Sequence, residues 1–152
     1  MVYNPESKRL RCVSCYGIDS SVVMNQEINL GEGIAGWVAK HRMSLLLPKD
    51  LPEYDFINVT EKDRKITSAI CVPLELNWQI KGVLNVNIIN RKDVKLNGHD
   101  FMIAKIFSQA AVVAIERSRL FERIGEFGEE TVVLPRISET VNPQVVFPAE
   151  QG

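Results

Sequence analysis

Two long apolar-rich runs lie almost back to back in this chain, TSAICVPLELN at 67–77 and IKGVLNVNIIN at 80–90, joined around Asn77-Trp78-Gln79. A connection this short joins antiparallel neighbours. The second run alternates, with Val83, Asn85 and Asn87 on one face and Leu84, Val86 and Ile88 on the other. That period of two is the signature of a strand. Pro73 cannot donate to a ladder and implies a bulge or an edge. Any fold for this chain must be built on that hairpin.

The strongest helical signal follows it, in LNGHDFMIAKIFSQAAVVAIERSRLFERIGEFG. Asn97 is placed to cap this helix and Asp100 falls in its first turn, where an acid is favoured. The helix is expected to reach about Ile124 and to stop near Gly125 or Gly128. Ile103, Phe107, Ala110, Ala114, Arg117, Phe121 and Ile124 follow heptad steps, a stripe that can cover a sheet or meet a partner helix. Arg117 suits the edge of a helix–helix seam better than a core.

The rest is shorter. The chain opens with a strand end at Val2-Tyr3, a turn at Asn4-Pro5-Glu6-Ser7 and a second strand through Leu10, Cys12 and Ser14. It thus begins inside a hairpin with almost no first strand, which reads as a piece of a longer protein. A short helix is expected over 34–41, and MSLLLP makes a brief strand stopped by Pro48. The stretch 49–67 has no regular period and mixes acids with Tyr54 and Phe56, as functional loops of this length do. After the long helix comes a tail, 128–152, with Pro135, Pro143 and Pro148 and two β-like runs, Thr131 to Leu134 and Gln144 to Phe147. If the sheet has an open slot at its missing strand, either run has the character to fill it.

Bulk properties narrow the function. The 152 residues suit one domain. With 18 Lys+Arg against 19 Asp+Glu, net charge is -1, and no basic footprint for nucleic acid exists. No apolar run has the length of a membrane span. Three cysteines, an odd number, without an export signal point to reduced thiols and a cytoplasmic setting. Cys12-x-x-Cys15 on a strand would point its sulfurs to opposite faces, which argues against a shared metal. His41 and His99 sit in polar surroundings unsuited to haem ligation. No Ser-His-Asp or paired-carboxylate constellation is present, so no catalytic residues and no metal site are assigned, and the chain is read as a non-enzyme.

LGEGIAGWVAKH, residues 30–41, contains G-x-G-x-x-G at Gly31, Gly33 and Gly36. A dinucleotide site needs a parallel strand before such a loop, a long helix after it and an acid about 20 residues on. Here an antiparallel hairpin precedes the loop, the helix is about two turns, and Trp37 follows the third glycine. The glycines are better explained by turns and by close packing of the helix on the sheet.

The loop and the two other segments together resemble the GAF domain family. The carrying positions are Gly31, Gly33, Ile34, Gly36, Trp37 and Val38; Ser68, Val72, Pro73 and Leu74; Ile80, Gly82, Val83 and Leu84; and Ala111, Ala114, Ile115 and Leu120. The resemblance covers residues 8–124. It implies an α+β fold, GAF/PAS-like, with helices on one face of an antiparallel sheet and a loop-covered pocket on the other, over residues 1–127, the family's first helix and most of its first strand being absent. It implies a regulatory domain of a signal-transduction protein that senses a small molecule and passes its state through the C-terminal helix to a linked output domain. Pocket positions would be Trp37, Leu47, Tyr54, Phe56, Ser68, Cys71, Asn85 and Asn87. Homodimerisation would use the 103–124 stripe. An interaction-only module without ligand is the alternative, and a GAF-fold methionine sulfoxide reductase a more distant one. Asn90-Arg91 and Asp100 echo the family's cyclic-nucleotide signature, but Phe101 stands where that signature has an acid. No cofactor is identified.

Overall fold

In the computed structural model the expected hairpin is strands β5 (Ile66–Leu76) and β6 (Gln79–Ile89). They pair antiparallel from Ile66↔Ile89 to Leu76↔Gln79. The structure describes residues 1–24, 26–47 and 63–127. The turn residues Asn77 and Trp78 have φ of 51° and 62°. Two left-handed centres are what a two-residue type I′ turn demands, and glycine is the usual occupant of the second. Trp78 sits there with 87% of its surface exposed. Trp78→Gly is therefore expected to stabilise the domain by about 0.5–1 kcal/mol in urea denaturation, because it relieves backbone strain and removes no buried contact.

Pro73 explains itself once β4 (Leu45–Leu47) is placed. That strand pairs with Ala69–Cys71 and ends there, so the side of β5 to which Pro73 offers no N–H has no partner to disappoint. On the other side of the hairpin β1 (Val2–Asn4) lies between β6 and β2 (Arg9–Arg11). β3 (Glu27–Asn29) forms the far edge, and the six-stranded antiparallel order is β3-β2-β1-β6-β5-β4. Gly82 is opposite Val2, and a Cβ on it would run into the carbonyl of Met1. Strand β2 stops at Arg11, short of the expected run through Ser14, so Cys12 and Cys15 are not on a strand. Cys12 is buried, its thiol donating to the Ser14 carbonyl at 3.5 Å, and Cys15 is half-buried. Helix α1 (Ser20–Val23), capped by the Asp19 carboxylate, and β3 carry no sequence period long enough to announce them.

The two remaining helices take opposite faces. Helix α3 (Gly98–Phe127) covers the face of Ile70, Val72 and Leu84 through Phe101 and Ala104. Its start is a reciprocal cap: Asn97 Oδ1 accepts from the His99 and Asp100 amides at 2.8 and 3.3 Å, and Asp100 accepts from the Asn97 amide at 2.9 Å. Asp100, the echo of a nucleotide signature, is spent on this cap. Helix α2 (Gly33–His41) lies on the other face, with Ile34, Ala35, Val38 and Ala39 packed on Leu10, Leu47, Ala69, Cys71 and Val83. The short helix thus belongs with the pocket side rather than with α3. The tail 128–152 and its two β-like runs lie outside the described residues.

Candidate functional site

The glycine loop closes on itself. Gly31 and Gly33 adopt φ of 89° and 59°, which side chains strain to reach. The Gly31 amide donates to the Gly36 carbonyl at 2.7 Å, the Glu32 amide to Asn29 O at 3.1 Å, and the Gly36 amide to Glu32 O at 3.0 Å. The Glu32 carboxylate accepts from the backbone and side-chain amides of Asn29 at 3.2 and 3.0 Å. A phosphate cradle needs free N–H groups and no anion of its own; here both conditions fail. Asn29-x-x-Glu32 is the spacing of a capping pair, a signal present in the sequence and not used above.

The α2 face of the sheet is the remaining place for a ligand. Strand pairing sets Asn85 beside Cys71 and Asn87 beside Ala69, with Leu45 and Leu47 next along. Cys71, Ala69 and Leu47 are buried members of the apolar cluster under α2, and Trp37 packs against it half-buried. The Trp37 ring stacks on His41 of its own helix, centroids 4.4 Å apart and planes 29° from parallel. On this apolar ground Asn85 and Asn87 each bury an Oδ1 that accepts no hydrogen bond. A buried carbonyl without a donor costs about 1–3 kcal/mol, so each such group calls for a reason.

Five of the eight pocket positions read from the sequence are therefore together on one face: Trp37, Leu47, Cys71, Asn85 and Asn87. Ser68 is not among them. It is fully buried on the α3 side, where its hydroxyl donates to Leu47 O and accepts from the Leu96 amide, both at 3.0 Å. Tyr54 and Phe56, with most of the 48–67 loop, lie outside the described residues. Burial pushes the Cys71 thiol far above the ordinary thiol range, which keeps it neutral and a poor nucleophile.

Two polar connections escaped the sequence reading. Arg42, left-handed at the end of α2 (φ 58°), makes a two-pronged contact with Glu75 and donates to the Trp78 carbonyl at 2.6 Å. It ties α2 to the hairpin turn. On the other face a bulge between Leu74 and Glu75 faces the Ile80–Gly82 stretch, and Lys81 meets Glu116 of α3 at 3.1 Å. Arg119 adds a bond to the Tyr3 carbonyl at 2.7 Å. These contacts span 33 to 116 residues of sequence, and no local pattern announces them.

The stripe on α3 is open. Phe107, Phe121 and Ile124 expose 65%, 61% and 63% of their surface, and Ile103, Ala110, Ala114 and Arg117 are exposed as well. Ile106, Val113 and Leu120 widen it on one side. Among the described residues no helix is long and apolar enough to cross a membrane.

No family model matches the chain. It is 26% identical over 125 residues to the Nif-specific regulatory protein of Azospirillum brasilense, a match that takes in 80% of this chain and 20% of that protein. The chain thus spans about a fifth of its curated relative's length. Its structure is similar to the GAF domain of the Acinetobacter phosphoenolpyruvate-protein phosphotransferase, with a TM-score of 0.68 and 15% identity over 80% of this chain and 71% of that one. The corresponding GAF domain from Coxiella burnetii gives 0.69 and 12%, over 80% and 72%. At such identities the likeness speaks for fold, and the six-stranded sheet with helices on its two faces agrees with it.

Proposed function

We propose that this chain, which has the fold of a GAF domain, is a cytoplasmic regulatory module that binds a small molecule on its α2 face and passes the bound state through α3 to a linked output domain. The observation that carries the reading is the pair of buried, unpartnered amide carbonyls of Asn85 and Asn87 on an otherwise apolar surface. Pockets for small molecules are apolar with a few placed polar groups of this kind. The path to α3 runs through β6, which carries both asparagines on one face and, at Lys81, the ion pair to Glu116. Kinship to a regulatory protein five times longer supports an output domain elsewhere in the polypeptide. A ligand moves such a switch only by binding its two states with different affinity.

Thermal melts against cAMP, cGMP, 2-oxoglutarate, nicotinamide and haem test the reading. A binder at about a hundredfold over its Kd adds about 2.7 kcal/mol and raises Tm by several degrees. The shift should vanish in Asn85→Leu and Asn87→Leu, while those variants without ligand melt no lower than the parent, since each removes an unpaired buried carbonyl. If the variants keep the full shift, the face is wrong. If no compound moves the midpoint, the module works by interaction alone.

The open stripe on α3 favours self-association as part of this function. Large exposed apolar surfaces mark interaction sites. A reductase reading has less support, because Cys71 is fully buried and held neutral.

A further inference from the structure

The exposed residues of α3 are ordered almost as a palindrome. Read along the helix the stripe is Ile103, Phe107, Ala110, Ala114, Arg117, Phe121, Ile124. Reversed, isoleucine falls on isoleucine at the ends, phenylalanine on phenylalanine next, and alanine in the middle. The flanking row Ile106, Val113, Leu120 has the same symmetry, its smallest member central. A surface that matches its own reverse is what an isologous two-fold contact requires when the axis crosses the helix at its midpoint.

We infer that a second copy of this chain docks antiparallel on α3, the two helices crossing closely at Ala110 and Ala114. This rests on the self-association proposed above and fixes its geometry. Phe107 of one copy then meets Phe121 of the other, and Ile103 meets Ile124. The small side chains at the crossing let the backbones approach. Charge decides against the parallel alternative. There Arg117 would face its own copy in the middle of the seam, like charges in a desolvated layer. In the antiparallel arrangement Arg117 lies over Ala110, which leaves room for its aliphatic stem, and its guanidinium reaches water at the rim. Glu116 and Arg119 do not compete for the seam, because they are engaged with Lys81 and the Tyr3 carbonyl on the sheet side.

Disulfide trapping tests this on the whole chain in a Cys15→Ser background, Cys12 and Cys71 being buried. Phe107→Cys, Phe121→Cys and Ile124→Cys all alter exposed positions, and circular dichroism checks that each folds. A disulfide needs Cα atoms within about 7 Å. Mixing Phe107→Cys with Phe121→Cys, on chains of different tag length, should raise the mixed cross-link about tenfold over either alone, as the antiparallel seam places these sulfurs together. Ile124→Cys alone should stay uncoupled, since antiparallel copies hold those residues about 30 Å apart along the helix axis. Ready self-coupling of Ile124→Cys would overturn the antiparallel geometry and leave self-association standing. A chain that sediments as a monomer at every concentration and couples nowhere overturns both.

Discussion

Gly36→Ala is expected to cost the domain about 3 kcal/mol or more and to drop its urea midpoint sharply. The position is helical, in α2, and on an exposed helix the same change would gain roughly 1 kcal/mol because alanine is the better helix former. Space reverses the sign. A Cβ on Gly36 would fall inside the van der Waals radius of the Asn29 carbonyl oxygen and lie 3.0 Å from the Gly31 amide nitrogen. Both neighbours are backbone, and Asn29 belongs to β3, so neither can swing aside as a flexible side chain would. Relief requires α2 to lift from the sheet, which would also lift Ile34, Val38 and Ala39 out of the core. Gly98→Ala is the control: nothing lies within 4 Å of its Cβ, and its stability should hardly change. The same geometry disposes of the nucleotide reading, for the space a phosphate would need is filled by the loop's own backbone. A Gly36→Ala variant as stable as the parent would mean that the helix is not seated this closely.

What could be read from the sequence is what has a long period. Helix α3 and the β5–β6 hairpin each repeat their pattern over many residues, and both stand where expected, including the Asn97 cap. Elements of three or four residues, such as β3 and α1, offer no repeat, and only tertiary packing holds them. Asn85 and Asn87 were legible as a pair because their alternation with Leu84 and Val86 is unambiguous. Ser68 and Cys71 were both assigned to the pocket, yet residues three apart on a strand face opposite ways. The helices carry the same lesson: α2 shares its face with Cys71, and α3 shares its own with Ser68. Arg42 was invisible as a clamp because its partners, Glu75 and Trp78, are 33 and 36 residues away.

Ser68→Ala should lower stability by about 2–4 kcal/mol whether or not any small molecule is present. The hydroxyl is a staple between three elements. It donates to Leu47 at the end of β4, accepts from Leu96 just before α3, and stands on β5 itself. Removing it strands a carbonyl and an amide, each costing the larger, unsatisfied figure rather than the modest net value of a hydrogen bond made in competition with water. Alanine also leaves a small void at a site with no solvent exposure. The prediction separates a structural hydroxyl from a ligand-binding one. A ligand group, once lost, would leave the unliganded melt nearly unchanged and abolish the ligand-induced shift. The staple does the reverse: the unliganded Tm falls by roughly 8–15 °C for a domain of this size, and any shift produced through Asn85 and Asn87 persists on the lowered baseline. An unliganded melt equal to the parent's would return Ser68 to the binding face and put the division between the two faces of the sheet in question.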